Sequence, residues 1–394
     1  MSGSLAFPLF ALLSIGEHLS SDQKRVGTAR VYKSPAPLDV QIVEGASAIS
    51  VLDRSWDELV ERQQLPSPML LAEWLKAVGE FQRAFVVLVS RRGTLVGGGA
   101  FRRLRVGPVD AATWLGGARL PGVLGARGDD QAAAAVVNGA LDCTGAVLLP
   151  RVPAVGPTLA ALGSTVQWRS ARRVTPPGYL VKLPPPKLEK ARAKSEYSIR
   201  RASRKGAEIE VKTRSHESEL MPAFERLCDL YRGRWRGRED EGNRHSDIVV
   251  ATSRYEVVLL GLARSGRVRI VEVFENDSLV ASVLGFTAGR GALFHTTATK
   301  TAGALRGPGH IAMLAWVDEA MKMGCTAMYL GRGAGEPEGP KGRLGATELP
   351  LYDVVAARTR GRHLSLEVSA IVGHAIRGAR ARAGAFARGL GRSR

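Results

Sequence analysis

Cysteine is scarce in this chain. Three occur among 394 residues, at Cys143, Cys228 and Cys325, far apart and in mixed or apolar surroundings. No Cys-x-x-Cys is present and the count is odd, which argues against a disulfide framework. The three read as small buried hydrophobes, and a reducing cytoplasm is the expected setting. Long hydrophobic runs are missing as well. Leu5 to Ile15 is apolar but falls short of the roughly 20 residues that cross a bilayer, and no later segment does better. That run has no basic leader and no convincing small-residue cleavage site after it. Residues 1–38 are therefore expected to be a disordered extension.

Acidic residues are also in short supply. There are 37 Asp and Glu against 56 Lys and Arg, for a net charge of +19. The excess is local. Residues 187–206 hold eight basic and two acidic side chains, and residues 358–394 hold nine arginines against Glu367. Outside these stretches the chain is near balance. Each stretch is either a solvated face or a surface that meets phosphates, an anionic membrane or an acidic polymer. The expected place is the cytoplasm, with peripheral contact to the inner membrane through the tail.

What is present is order. The length suggests two domains or one duplicated unit. From Val40 onward the periodicities give two helices, a hairpin over 85–101, an Ala-rich helix from Asp129, a strand over 146–149, a short helix at 157–162 and a strand over 179–183. Pro184-Pro-Pro186 is the clearest boundary, being stiff and incompatible with regular structure. A comparable order follows: a basic helix over 189–205, a strand over 208–213, a helix over 217–236, a helix from Ser246 to about Arg264, and a hairpin over 267–288. The expected divisions are 39–183, 187–357 and a basic helical tail over 358–394. The class is α/β, with two halves of like order, each a mixed and largely antiparallel sheet flanked by helices.

The most informative unit runs from Ala292 to Leu330. Ala292–Thr299 is apolar and Thr-rich, as a strand is. Arg306-Gly-Pro-Gly309 forms a loop, and His310–Met323 has apolar residues at helical spacing. Gly324 is a stop and Cys325–Leu330 the next strand. A helix entered through glycines presents unpaired N–H groups and the positive end of its dipole, which suits a phosphate. In isolation the same glycines also fit a plain helix-starting turn.

This order of parts resembles the GNAT acyltransferase fold. Residues 187–357 look like the GNAT-type domain of cellulose-biosynthesis-associated (CelD-type) acetyltransferases. The likeness rests on Lys194-Ser195, Ile199-Arg-Arg201, Arg204-Lys205, Leu230, Arg234-Trp235, Pro308-Gly309-His310, Gly331, Gly333 and Lys341-x-Arg343-x-Gly345-Ala346. Trp56-x-x-Leu59 and Pro68 to Trp74 resemble the companion portion, so the likeness covers roughly 40–357. It departs at Ile311, where the glycine pattern has a small residue, and at Tyr329 and Pro340, where the family often has an acidic residue and a tyrosine.

The resemblance implies an acyl-CoA-dependent acyltransferase with acetyl-CoA or another acyl-CoA as co-substrate. The acceptor would be an amine or hydroxyl on a small molecule or saccharide, in polysaccharide or cell-envelope synthesis. Arg306, Gly307, Gly309 and His310 would hold the diphosphate of the donor, with the amides of 307–310 facing it. Such a reaction needs a proton acceptor and an acid for the departing thiolate. His295, Glu336, Glu338 and Glu272 are candidate acceptors, and Tyr352 a candidate acid. Each also fits a structural or solvated role. Lys341, Arg343 and Arg201 are candidate holders of the acceptor. Two other readings stand beside this one. A Fem-like transferase takes its acyl group from aminoacyl-tRNA, and the basic helix and tail favour it, although no long inserted helical hairpin is evident. A non-catalytic basic scaffold on the same fold is favoured by the departures.

Overall fold

The computed structural model describes residues 37–78, 83–116, 120–126, 129–235, 252–300, 303–333 and 340–369. Glu336, Glu338, the Ser246 cap and most of the expected extension and tail lie outside them. In chain order the first part runs β1 (Leu38–Glu44), α1 (Ala46–Ser50), α2 (Arg54–Glu61), α3 (Ala72–Val78), β2 (Ala84–Arg91), β3 (Thr94–Val106), β4 (Val109–Trp114), β5 (Leu124–Gly125), α4 (Asp130–Thr144), β6 (Ala146–Pro153), α5 (Pro157–Thr165), β7 (Trp168–Arg173) and β8 (Gly178–Lys182). The second runs α6 (Leu188–Ser203), β9 (Ile209–Arg214), α7 (Glu217–Trp235), α8 (Thr252–Arg264), β10 (Val268–Glu275), β11 (Ser278–Ala288), β12 (Gly291–Thr299), α9 (Pro308–Lys322), β13 (Ala327–Arg332), α10 (Pro340–Leu344), β14 (Thr347–Leu349) and β15 (Leu351–Ala357). A helix over 360–369, α11, follows.

Local chemistry sets the element starts. Asp53 lies in extended backbone and accepts the Ser55 and Trp56 N–H groups, so it caps α2. Asp129 does the same for α4 through the Ala132 N–H. Gly145 and Gly324 take positive φ at helix ends, where a side chain would be strained.

Two mixed sheets result, flanked by helices. The first has strand order β1-β2-β3-β4-β6-β15-β7, with β5 beside β3. The second has order β14-β8-β13-β12-β11-β10-β9. The α/β reading of the sequence is the observed class. The expected halves, however, exchange strands. β8 precedes the triple proline yet pairs with β13 and β14 in the second sheet. β15 comes from the second half and lies between β6 and β7 in the first. No cut at residues 183–187 separates one sheet from the other.

The halves also share a core. Trp74 of α3 is buried and meets the Phe286 and Tyr255 rings edge-on, at 5.2 and 5.9 Å between centroids. Above this contact Arg267 donates to Asp57 and Glu61 of α2. On the opposite face of the second sheet, Trp316 of α9 lies flat on Gly285, where any Cβ would overlap its ring. The two faces of that sheet thus have different jobs. One fixes the first half, and the other seats α9.

Candidate active site

β12 and β13 run parallel, as a strand–helix–strand crossover requires. They pair only at Gly291–Ala327, Ala292–Met328 and Leu293–Tyr329. Beyond Leu293 and Tyr329 they part, leaving the edge of β12 that faces β13 unpaired. The start of α9 stands at the open end. A cavity of about 730 Å³ fills the wedge, with Phe294, Thr297 and Thr299 of β12 on one side and Leu330 of β13 on the other. The loop 305–310 and the side chains of Lys341 and Arg343 complete it. The Thr297 hydroxyl is buried with no partner among the described residues.

The loop is clamped from two directions. Glu275, buried at the end of β10, accepts the Ala304 N–H at 2.6 Å and the Leu305 N–H at 3.3 Å. Ser198 of α6 donates to the Arg306 carbonyl at 2.6 Å. Gly307 then takes φ 68° and ψ 43° and serves as N-cap, with Pro308 as the first helical residue. Among the described residues the Gly307 and Gly309 N–H groups have no partner. The amide set is narrower than expected from sequence. Pro308 has no N–H, and the His310 N–H is held by the Gly307 carbonyl at 2.9 Å. Gly309 is required by packing, since a Cβ there would lie 2.5 Å from Thr299 Cγ2. The two free amides and the positive end of the helix dipole converge at the open end of the wedge, an arrangement that suits an anion.

The described side chains around this point are cationic or neutral. His310 is buried, and neither ring nitrogen has a partner among the described residues. Burial, with Arg343 and Lys194 nearby, pushes its pKa down to about 4, so the ring is neutral at physiological pH. Lys341 donates from Nζ to the Arg332 carbonyl at 2.7 Å and to the Gly331 carbonyl at 3.2 Å. Its Nζ also lies 4.8 Å from the Tyr179 ring centre. Burial lowers its pKa to about 8. Lys341 therefore latches α10 over the end of β13, and Arg343, one turn-half further on, faces the cavity.

The sequence candidates divide accordingly. Arg306, Gly307, Gly309, His310, Lys341 and Arg343 come together at the wedge. Arg201 lies on α6 beside Arg306 and Arg343, lining an adjoining cavity. His295 is elsewhere. It is the extra residue of a β-bulge between β11 and β12, which turns its side chain into the core shared by the two halves. There Nδ1 contacts the Thr296 hydroxyl at 3.0 Å and Nε2 the Tyr255 hydroxyl at 3.3 Å. Tyr352 belongs to β15 in the first sheet, paired with Val152 and Arg173. Neither residue lines the wedge. Glu272 is fully buried and accepts from Arg214 and twice from Arg226, at 2.8 to 3.0 Å, so it ties β10 to α7 and β9. Glu336 lies outside the described residues. Glu275 and Ser198, which hold the loop, were not singled out by sequence. Glu275 is the last residue of β10, beside the Asn276–Asp277 turn, and its spacing carries no chemical signal.

Solved structures share this architecture. FemX matches with a TM-score of 0.56 at 12% identity, over 77% of this chain and 94% of that one. The C-terminal domain of a candidate lysylphosphatidylglycerol synthetase from Agrobacterium fabrum matches with a TM-score of 0.50 at 13% identity, over 83% of this chain and 96% of that one. At these identities the likeness is one of fold. No curated protein sequence matches this chain. Residues 189–337, which include β12, α9 and β13, match the model of the acetyltransferase (GNAT) domain family.

Proposed function

We propose that this protein transfers an acyl group from acetyl-CoA or another acyl-CoA to an amine or hydroxyl acceptor. One observation carries the reading. β12 and β13 part beyond Leu293 and Tyr329, and the glycine-led start of α9 stands over the gap. A pantetheine arm laid in the wedge finds backbone N–H and C=O groups along the free edge of β12. Its diphosphate meets the Gly307 and Gly309 amides. The acceptor attacks the thioester carbonyl, and the tetrahedral oxyanion takes a hydrogen bond from the β12 backbone. The C–S bond then breaks and the thiolate leaves with a proton. The likeness to CelD-type acetyltransferases points to a saccharide acceptor in polysaccharide or cell-envelope synthesis, with the protein in the cytoplasm. No helix among the described residues is long and apolar enough to cross a membrane.

Calorimetric titration of the full chain with acetyl-CoA tests this reading. Binding at micromolar to sub-millimolar concentration is expected. No heat of binding at millimolar ligand rejects it. A second reading, in which the donor is an aminoacyl-tRNA, is favoured by the unpaired basic face of α6. It predicts tRNA binding that weakens steeply with salt.

A further inference from the structure

Where α4 gives way to β6, at one end of the first sheet, lies a cavity of about 690 Å³, within the size range of small-ligand sites. It shares no lining residue with the wedge. Five arginines line it, drawn from three separate parts of the chain. Arg83 directly precedes β2. Arg103 and Arg105 alternate along β3 and so share one of its faces. Arg358 follows β15, and Arg362 lies in the first turn of α11. Against these five stand two acids of the lining, Asp110 and Asp142, which leaves a net charge of +3.

Contacts within the protein use only part of this donor set. Arg358 donates to the Asp142 carboxylate and, at 3.3 Å, to the Asn138 carbonyl. Arg103 pairs with Glu44. Arg362 lies against Gly145, where any Cβ would overlap its guanidinium, and reaches the Thr144 carbonyl at 3.5 Å. Gly145 is thus needed twice, for its φ of 73° and for the room it leaves. The carbonyl end of a helix repels an anion. Here Arg362 covers the last carbonyl of α4 and reverses the sign of that end. A guanidinium has five N–H donors, so each of the three keeps donors beyond these contacts. Arg83, Arg105 and Arg362 have no acid partner among the described residues, and all three are exposed. Asp110 stands opposite Arg105 in the β3–β4 register without forming an ion pair among the described residues. Arg172, which meets the other side of α11, is by contrast paired with Glu367 at 2.7 Å. Charge is balanced where α11 packs on the sheet and left in excess around the cavity.

We infer that this arginine-lined cavity is a second ligand site, remote from the wedge, that takes a phosphate ester. Guanidinium forks match phosphate oxygens in pairs, and the excess charge suits a dianion better than a single carboxylate. The site stands on the cavity alone and does not rest on the acyl-transfer reading. Phosphate esters reach it from two sources, a soluble phosphorylated metabolite or the headgroup of an anionic phospholipid, and the test separates them. Glycerol 3-phosphate is titrated into the full chain by calorimetry, alone and with saturating acetyl-CoA. In parallel the chain is sedimented with vesicles of phosphatidylcholine, alone or mixed equally with phosphatidylglycerol. Glycerol 3-phosphate should bind, and saturating acetyl-CoA should leave its affinity within twofold. Arg105→Gln with Arg362→Gln should weaken it tenfold or more. Thermal melts check that this variant is folded. Arg83→Gln with Arg105→Gln, which leaves Arg362 on Gly145, repeats the test. Phosphatidylglycerol vesicles that retain the wild type tenfold better than the variants assign the site to lipid. Arginine-dependent binding of glycerol 3-phosphate without that vesicle difference assigns it to a soluble ligand. The inference is overturned if neither probe binds, or if neither loses affinity in the two variants.

Discussion

The carboxylate of Glu275 accepts the Ala304 N–H at 2.6 Å across 29 residues of sequence. This contact joins the end of the β10–β11 hairpin to the loop that opens α9. It sets where Gly307 and Gly309 present their amides. Gly303 has φ 135°, and a Cβ there would run into the same carboxylate. The loop is therefore shaped around an acid that never touches the expected ligand. Hydrogen bonds to a buried charge contribute about 1.5–3 kcal/mol each. Glu275→Ala should lower stability by about 2–4 kcal/mol and weaken acetyl-CoA binding tenfold or more. Glu275→Gln keeps one acceptor oxygen and should do less on both counts. Chemical denaturation and calorimetry read the two effects, and full CoA affinity in the alanine variant would sink the positioning role.

Gly309 and Thr299 offer a paired test. The 2.5 Å approach of a Cβ at 309 to Thr299 Cγ2 leaves no room for alanine. Gly309→Ala should push the helix start away from β12 and weaken CoA binding by an order of magnitude or more. Thr299→Ser removes the offending methyl and keeps the hydroxyl. The double variant Gly309→Ala with Thr299→Ser should recover most of the affinity. Equal loss in the single and double variants would mean that the glycine matters for some reason other than this contact.

Much of this site could be read in the sequence because it is local. β12, the glycine loop, α9 and β13 follow one another, and apolar spacing marks each of them. The strands that sequence missed are of another kind. β7 lies at an edge of the first sheet, where few side chains are covered, and its three arginines leave no apolar alternation to read. β4 is short, with alanines in place of branched residues. The exchange of β8 and β15 is a pairing between distant segments, which no local pattern encodes. His295 was misleading for a physical reason. Alternation along β12 says little about a bulged residue, and the bulge turns it into the core. His310 was visible as a residue, but its lack of a partner among the described residues is a property of the packed structure.

The strand exchange makes a prediction about dissection. A fragment spanning 187–357 lacks β8, the strand between β13 and β14, and it carries β15 without β6 or β7. It also exposes the face of Phe286 and Tyr255 that Trp74 covers. That fragment should show no cooperative thermal transition by circular dichroism. The full chain should melt cooperatively. A sharp melt with native-like near-ultraviolet signal from the fragment would show that the exchanged strands are dispensable.

His310 should leave a mark on the pH dependence of stability. Its folded pKa lies near 4 and its ordinary value is 6.5. Between these values the unfolded chain binds a proton that the folded chain does not. Stability from this group is therefore fully present above pH 6.5 and is lost as pH falls toward 4. One proton corresponds to a slope of at most about 1.4 kcal/mol per pH unit, or about 3 kcal/mol over the window. The causes are the burial of the ring and the nearby Arg343 and Lys194 charges. His310→Gln removes the titration. Urea denaturation of both proteins from pH 7.5 to 4.5 isolates the effect, because other titrating groups cancel in the difference. The variant should gain on the wild type as pH falls below 6.5, with little change in the difference above it. A difference that is flat from pH 7.5 to 4.5 would mean that the ring takes up its proton normally in the folded protein, and that it already has a partner or water beside it.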